Sequence, residues 1–163
     1  MSKYSLGVIG AWLLTVIVAS YAVLGHERTL REGELVLLRL APVDPRSLMQ
    51  GDYMALRFAV DDHLQTENGK WPAYAHLHLG GGARATFAGT GQAPSGAPGQ
   101  VSMRIRPGTR GASLGPNGFF FQEGHAARYE QARWGGFRVA ADGTALLTSL
   151  YSEDLELLGN NRR

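Results

Sequence analysis

An uncharged, almost wholly apolar run from Tyr4 to Gly25 opens the chain, and nothing after it repeats that pattern. At ~1.5 Å per residue a helix from Leu6 to Leu24 spans about 28 Å, close to a bilayer core of ~30 Å. Tyr4 and Tyr21 stand near its two ends, where aromatic side chains favour the headgroup boundary. The pattern predicts a transmembrane helix. Ser20-Tyr21-Ala22 also offers small residues at the spacing of a signal-peptide cleavage site. The apolar run is longer than the usual ~7–15 residues of such a peptide, and Lys3 is its only basic leader residue, so the expectation is an uncleaved signal anchor.

From Glu34 onward the period shortens to that of strands. Glu34 to Ala41 is a nearly continuous apolar strand ended by Pro42. Met54, Leu56, Phe58 and Val60 alternate with Tyr53, Ala55, Arg57 and Ala59 and predict a second strand. Ala73 to Leu79 alternates again and can pair with Ala83 to Ala88 across Gly80-Gly81-Gly82. Gln100 to Arg106 places Val101, Met103 and Ile105 inward and Ser102, Arg104 and Arg106 outward. Gly89–Gly99 and Gly108–Gly118 read as loops, and Phe119 to Gln122 as a short strand. His125 to Trp134 is the one predicted helix of this part, with Gly135-Gly136 as its stop. Asp142-Gly143 marks a hairpin between Phe137–Ala140 and Thr144–Tyr151. The fold class is therefore mainly β: an N-terminal transmembrane helix, then an antiparallel β-sandwich or partly open barrel with one short α-helix. The expected organisation is an anchor over residues 1–27, a soluble β-rich domain over 28–159 and a frayed tail over 160–163.

The stretch from Asp44 to Phe58 reads DPRSLMQGDYMALRF. Asp44 can cap a helical turn and Pro45 fits its first position, so a short turn through Gln50 is expected. Gly51-Asp52 then looks like a tight turn into the strand that begins at Tyr53. This arrangement resembles the GDYXXLXY family of bacterial membrane-anchored proteins, with Phe58 where the family name has Tyr. A second block resembles the family too: Phe120-Phe121-Gln122-Glu123-Gly124, then Tyr129-Glu130, Ala132-Arg133 and Arg138-Val139, the two blocks lying about 65 residues apart. The resemblance runs roughly from Leu35 to Leu157. It implies a single-pass anchor and a mostly β domain, and it implies no substrate, cofactor or catalytic residue. It also implies a multi-spanning membrane protein as partner, because family members often lie beside such proteins.

Ser47-Leu48 with Gly51-Asp52 is similar to part of the signal peptidase pattern. Alignment on Ser47, however, puts Val43 at the nucleophile's position. Of the two lysines, Lys3 precedes the membrane run and leaves only Lys70 as a base. A Ser/Lys hydrolase needs both partners, so the likeness is one of turn geometry.

The 163 residues suffice for one domain plus an anchor, and there are no cysteines, which removes disulfides and thiolate chemistry. Net charge is +2 and the basic residues are dispersed, so no nucleic-acid partner is expected. Lys3 flanks one side of the apolar run; Arg28 and Arg31 flank the other. That count leans towards a cytoplasmic domain, whereas the short leading tail favours export. The expectation is an extracytoplasmic, periplasmic domain on the bacterial inner membrane, with the lipid bilayer as the helix's partner.

His76 and His78 share a strand face and could join His63 or His125 on a metal, but no carboxylate completes the pattern, so neither metal nor other cofactor is expected. Arg104, Arg106 and Arg110 form a short basic patch suited to anionic headgroups or to protecting a strand edge. The candidate ligand- or partner-binding residues are Arg46, Asp52, Tyr53, Glu123, Tyr129 and Arg133, drawn together as a polar pocket between the helix and the Gly51-Asp52 turn. Asp44, Pro45, Gly51, Asp52 and Gly124 form the structural motif. Tyr129 and Arg133 would share a helix face, with Glu130 in reach of Arg133. The functional expectation is a non-catalytic envelope protein that assists a membrane complex. The alternative is a hydrolase or transferase using the carboxylates of Asp52 and Glu123.

Overall fold

The computed structural model describes residues 3–41, 49–50, 53–108, 111–121 and 124–160, with backbone alone for 3–6 and 49–50. The apolar run forms a single helix, α1 (Lys3–Glu32), longer than the pattern of apolar residues required. Residues Gly7–Glu32 are long and apolar enough to cross a membrane, and their most apolar 18 residues have a mean hydropathy of 2.1 with none of them buried. Trp12, Leu14, Ile17 and Tyr21 are all exposed along it.

One residue, Gly33, separates α1 from β1 (Glu34–Arg39). The Gly33 N–H donates to Thr29 O at 3.0 Å and Arg138 Nη1 donates to Gly33 O at 3.0 Å. Thr29 is buried, its hydroxyl donating back to Gly25 O. A Cβ on Gly33 would collide with Thr29 O and crowd Val139 N at 3.1 Å, so glycine is required for the close approach.

β1 is the edge of a four-stranded antiparallel sheet completed by β10 (Trp134–Val139), β11 (Ala145–Tyr151) and β12 (Leu157–Asn160), in the order β1-β10-β11-β12. β4 (Tyr74–Leu79) lies between β5 (Ala85–Gly91) and β6 (Gln100–Arg104) in a second sheet. A smaller ribbon joins β2 (Met49–Gln50), β3 (Tyr53–Ala55) and β9 (Gly118–Phe120), and β7 (Arg106–Gly108) pairs with β8 (Gly111–Ser113). Their inward faces meet in one apolar core, where Phe58 and Phe137 touch edge to face at 5.2 Å.

The mainly β expectation holds, and its core is legible strand by strand. Met54, Leu56, Phe58 and Val60 are all buried, although only Tyr53–Ala55 is strand and Ala59–His63 is a 3-10 turn. Val36, Leu37 and Leu38 are buried on both faces of β1, which explains its unbroken apolar run.

Several expectations need correction. The helix expected over His125–Trp134 is only α2 (Ala126–Tyr129), and Trp134 already begins β10. Gly135 and Gly136 lie inside that strand because aromatic rings occupy their side-chain space: Phe58 would be 2.8 Å from a Cβ on Gly135, and Tyr151 2.7 Å from one on Gly136. The loop expected over Gly108–Gly118 contains β8, and Leu157–Asn160 adds a strand that pairs with β11. Met49 and Gln50 pair with Met54 and Tyr53 as β2 rather than completing a helical turn. Ser102, expected to face outward, is buried.

Candidate functional site

A cleft of about 790 Å³ opens between the β3–Leu64 segment and the β7–β8 hairpin. It lies at the end of β1 away from α1, since Leu40 bridges Phe58 and Ala41 N donates to Arg57 O at 2.8 Å. Tyr53 and Trp71 supply partly exposed rings to its walls, and Arg57, Asp61, Asp62 and Arg106 supply its charges.

Tyr53 owes its place to a glycine. Its ring lies where a Cβ on Gly118 would be, one strand over, and its hydroxyl donates to Asn117 O at 3.0 Å. Phe120, directly across from Tyr53, keeps its ring 5.1 Å away and is 73% exposed. Within the motif, then, Leu56 and Phe58 build the core while Tyr53 faces the cleft.

Asp61 holds the two walls together. Its carboxylate accepts Leu114 N at 3.0 Å, Ser113 Oγ at 2.8 Å and Phe58 N at 3.3 Å. Burial pushes its pKa up from the ordinary carboxylate value, against the Leu114 N–H, the Ser113 hydroxyl, the Phe58 N–H and the Arg57 charge, which all favour the ionised form. The three donors that converge on this carboxylate hold the two walls in register. Arg57 is neutralised by Asp62 on the exposed rim. Arg106 spends one N–H on Ala145 O at 3.3 Å and pairs with no carboxylate among the described residues.

The structure describes only some of the sequence-derived candidates. Arg46, Asp52 and Glu123, with Asp44, Pro45 and Gly51 of the motif, lie outside the described residues. Tyr53 lines the cleft. Tyr129 is buried between Phe119 and Phe121, with ring centroids at 5.4 and 4.8 Å, and its hydroxyl fills the space above Gly159. Arg133 donates to the carbonyls of Glu130 and Ala132 at 3.0 and 2.8 Å rather than to a carboxylate. Gly124 is exposed with φ +84°, a left-handed position that favours glycine.

His76 Nδ1 meets Ser102 Oγ at 2.9 Å and His78 Nε2 meets Gln100 Nε2 at 3.3 Å, whereas His63 stacks on the Phe87 ring at 5.1 Å. Arg104 pairs with Asp142 at 3.1 Å, and Arg110 lies outside the described residues. Asp61 is the residue that sequence reasoning missed. Its partners Ser113 and Leu114 are 52 and 53 positions away, and no local pattern joins them.

The architecture defines a class: a mainly β domain docked on an N-terminal apolar helix and carrying an open polar cleft. The chain matches the model of the GDYXXLXY protein family over residues 15–150, and it belongs to that family. No curated protein and no solved structure matches it.

Proposed function

We propose that this chain is a non-catalytic accessory protein of the bacterial cell envelope, anchored by α1 in the inner membrane, whose cleft receives a partner polypeptide. In this reading α1 is an uncleaved signal anchor, the β domain is periplasmic, and the partner is a multi-spanning protein of the same membrane.

The observation that carries the reading is the junction at Gly33. At ~1.5 Å per residue α1 is about 45 Å long, so about 15 Å remains beyond a ~30 Å hydrocarbon layer. Thr29 is buried against the sheet and Arg138 ties down Gly33 O, with no linker between helix and strand. A tether that only retains a domain needs no such docking. A docked helix fixes the orientation of the cleft relative to the bilayer, which matters when the partner is held in that bilayer too. Arg28 pairs with Glu32 and Arg31 with Glu27, leaving the last turns of the helix nearly neutral.

The cleft lining suits a polypeptide: Tyr53 and Trp71 offer partly exposed rings, and Arg106 offers a charge that pairs with no carboxylate among the described residues. The test is affinity capture of the tagged full chain from detergent-solubilised membranes of its host. Repeated recovery of the same multi-spanning protein is the expected result; repeated recovery of the chain alone overturns the reading.

A further inference from the structure

The β7–β8 hairpin has one closed edge and one open edge. In its ladder Arg106 faces Ser113, Pro107 faces Ala112 and Gly108 faces Gly111. Pro107 has no N–H, so the Pro107–Ala112 pair exchanges no hydrogen bonds, and the bonded pairs are those on either side. The main-chain N–H and C=O of Ala112 therefore point off the outer edge of β8. Neither bonds another described residue. Two residues on, Leu114 N–H leaves the chain on the same side and ends on Asp61 Oδ1. The open edge thus faces the Asp61 wall of the cleft. On β7 the missing N–H of Pro107 protects the opposite edge.

Small residues line the open edge: Gly111 has no side chain, Ala112 a methyl group and Ser113 a hydroxymethyl group. Gly111 has φ +117°, which favours glycine beside the hairpin turn, and Gly115 leaves room for the rings of Phe58 and Phe137. Arg106 leaves the one charge of the described lining that neither a carboxylate nor a set of donors compensates.

We infer that the partner presents an extended segment with an acidic side chain, which adds as a strand to the outer edge of β8, its main chain bonding Ala112 and its acid meeting Arg106. Tyr53 and Trp71 flank the added strand and contact its side chains. This rests on the reading of the cleft as a partner site and names what enters it.

The experiment pans a display library of random nonapeptides on the detergent-solubilised full chain and measures the tightest binder by titration. Acidic residues should dominate the selected set. Ala112→Pro removes the edge donor and should weaken binding roughly tenfold or more, and Arg106→Gln should weaken it by a smaller factor. N-methylation of one alternating set of peptide amides should abolish binding, and of the other set should spare it. That arm does not depend on how well a protein variant folds. No binder, full affinity of Ala112→Pro, or tolerance of both methylation sets overturns strand addition. Capture of the same membrane protein by wild type and Ala112→Pro alike also overturns it and leaves the accessory reading standing. Failure of wild type to capture any membrane protein removes the accessory reading instead.

Discussion

Asp61 shows how one partly buried carboxylate can tie together segments that lie far apart in the chain. Replacing it by alanine orphans the N–H groups of Leu114 and Phe58, at a cost of about 1–3 kcal/mol for each group left unsatisfied. Denaturant unfolding of Asp61→Ala should show that loss. The pH dependence has a definite sign. The folded pKa is raised above the ordinary 3.8, so the folded state holds the proton more tightly than the unfolded chain. The contribution is full below that value and is lost as pH rises through the folded pKa. Asp61→Asn should flatten this decline. Asp142 behaves oppositely. The Thr144 N–H, helped by the Thr144 hydroxyl and the Arg104 charge, holds its pKa below 3.8 despite some burial. Its contribution is present above 3.8 and fades as pH falls through the lowered value, and Asp142→Asn should remove that acid-side loss in thermal scans. Neither carboxylate was equally legible in the sequence. Asp142 bonds Thr144 two residues away and sits in a recognisable Asp-Gly turn, whereas Asp61 depends on a loop more than fifty positions distant.

At the scale of elements, glycines decide where rings can lie. Gly135 lets the Phe58 ring approach β10, and Gly118 makes room for Tyr53. Gly135→Ala should cost about 1–3 kcal/mol through overpacking against Phe58 and Leu147, read as a lower denaturant midpoint with unchanged slope. The same glycines account for what sequence reasoning misread. HAARYEQARW has helix-forming composition, but Trp134 pairs with Arg39 and Tyr151 in the sheet. The guanidinium groups of Arg39 and Arg84 lie 5.2 and 5.6 Å from its ring. Cross-strand packing of that kind outweighs local propensity. Period-two patterns located β4 and β6 well because alternate residues of each enter the common core, whereas the unbroken apolar run marked β1 and the Asp142-Gly143 turn marked β11. β7, β8 and β12 were invisible for the opposite reason: they are short and largely exposed, and Pro107 interrupts the first of them.

At the scale of the whole molecule, a helix that presents apolar side chains on every side is joined through Gly33 to a domain that cannot swing freely beneath it. Gly33→Ala places a Cβ against Thr29 O and should loosen that joint. Limited proteolysis should then cut near residue 33 several times faster than in the wild type, while the chain stays in the membrane fraction. The cleft sits at the far end of β1 from this joint, so mutations should separate the proposed partner binding from the proposed membrane insertion. The central claim is that the cleft, and not another face, meets a partner in the membrane. Site-specific photocrosslinking in intact host membranes tests it most directly, with the reactive group at Asn117 in the cleft or at exposed Asp154 in the β11–β12 loop. The account predicts a discrete adduct with a multi-spanning membrane protein from Asn117 and none from Asp154. No adduct from Asn117, or the same adduct from both positions, would contradict it.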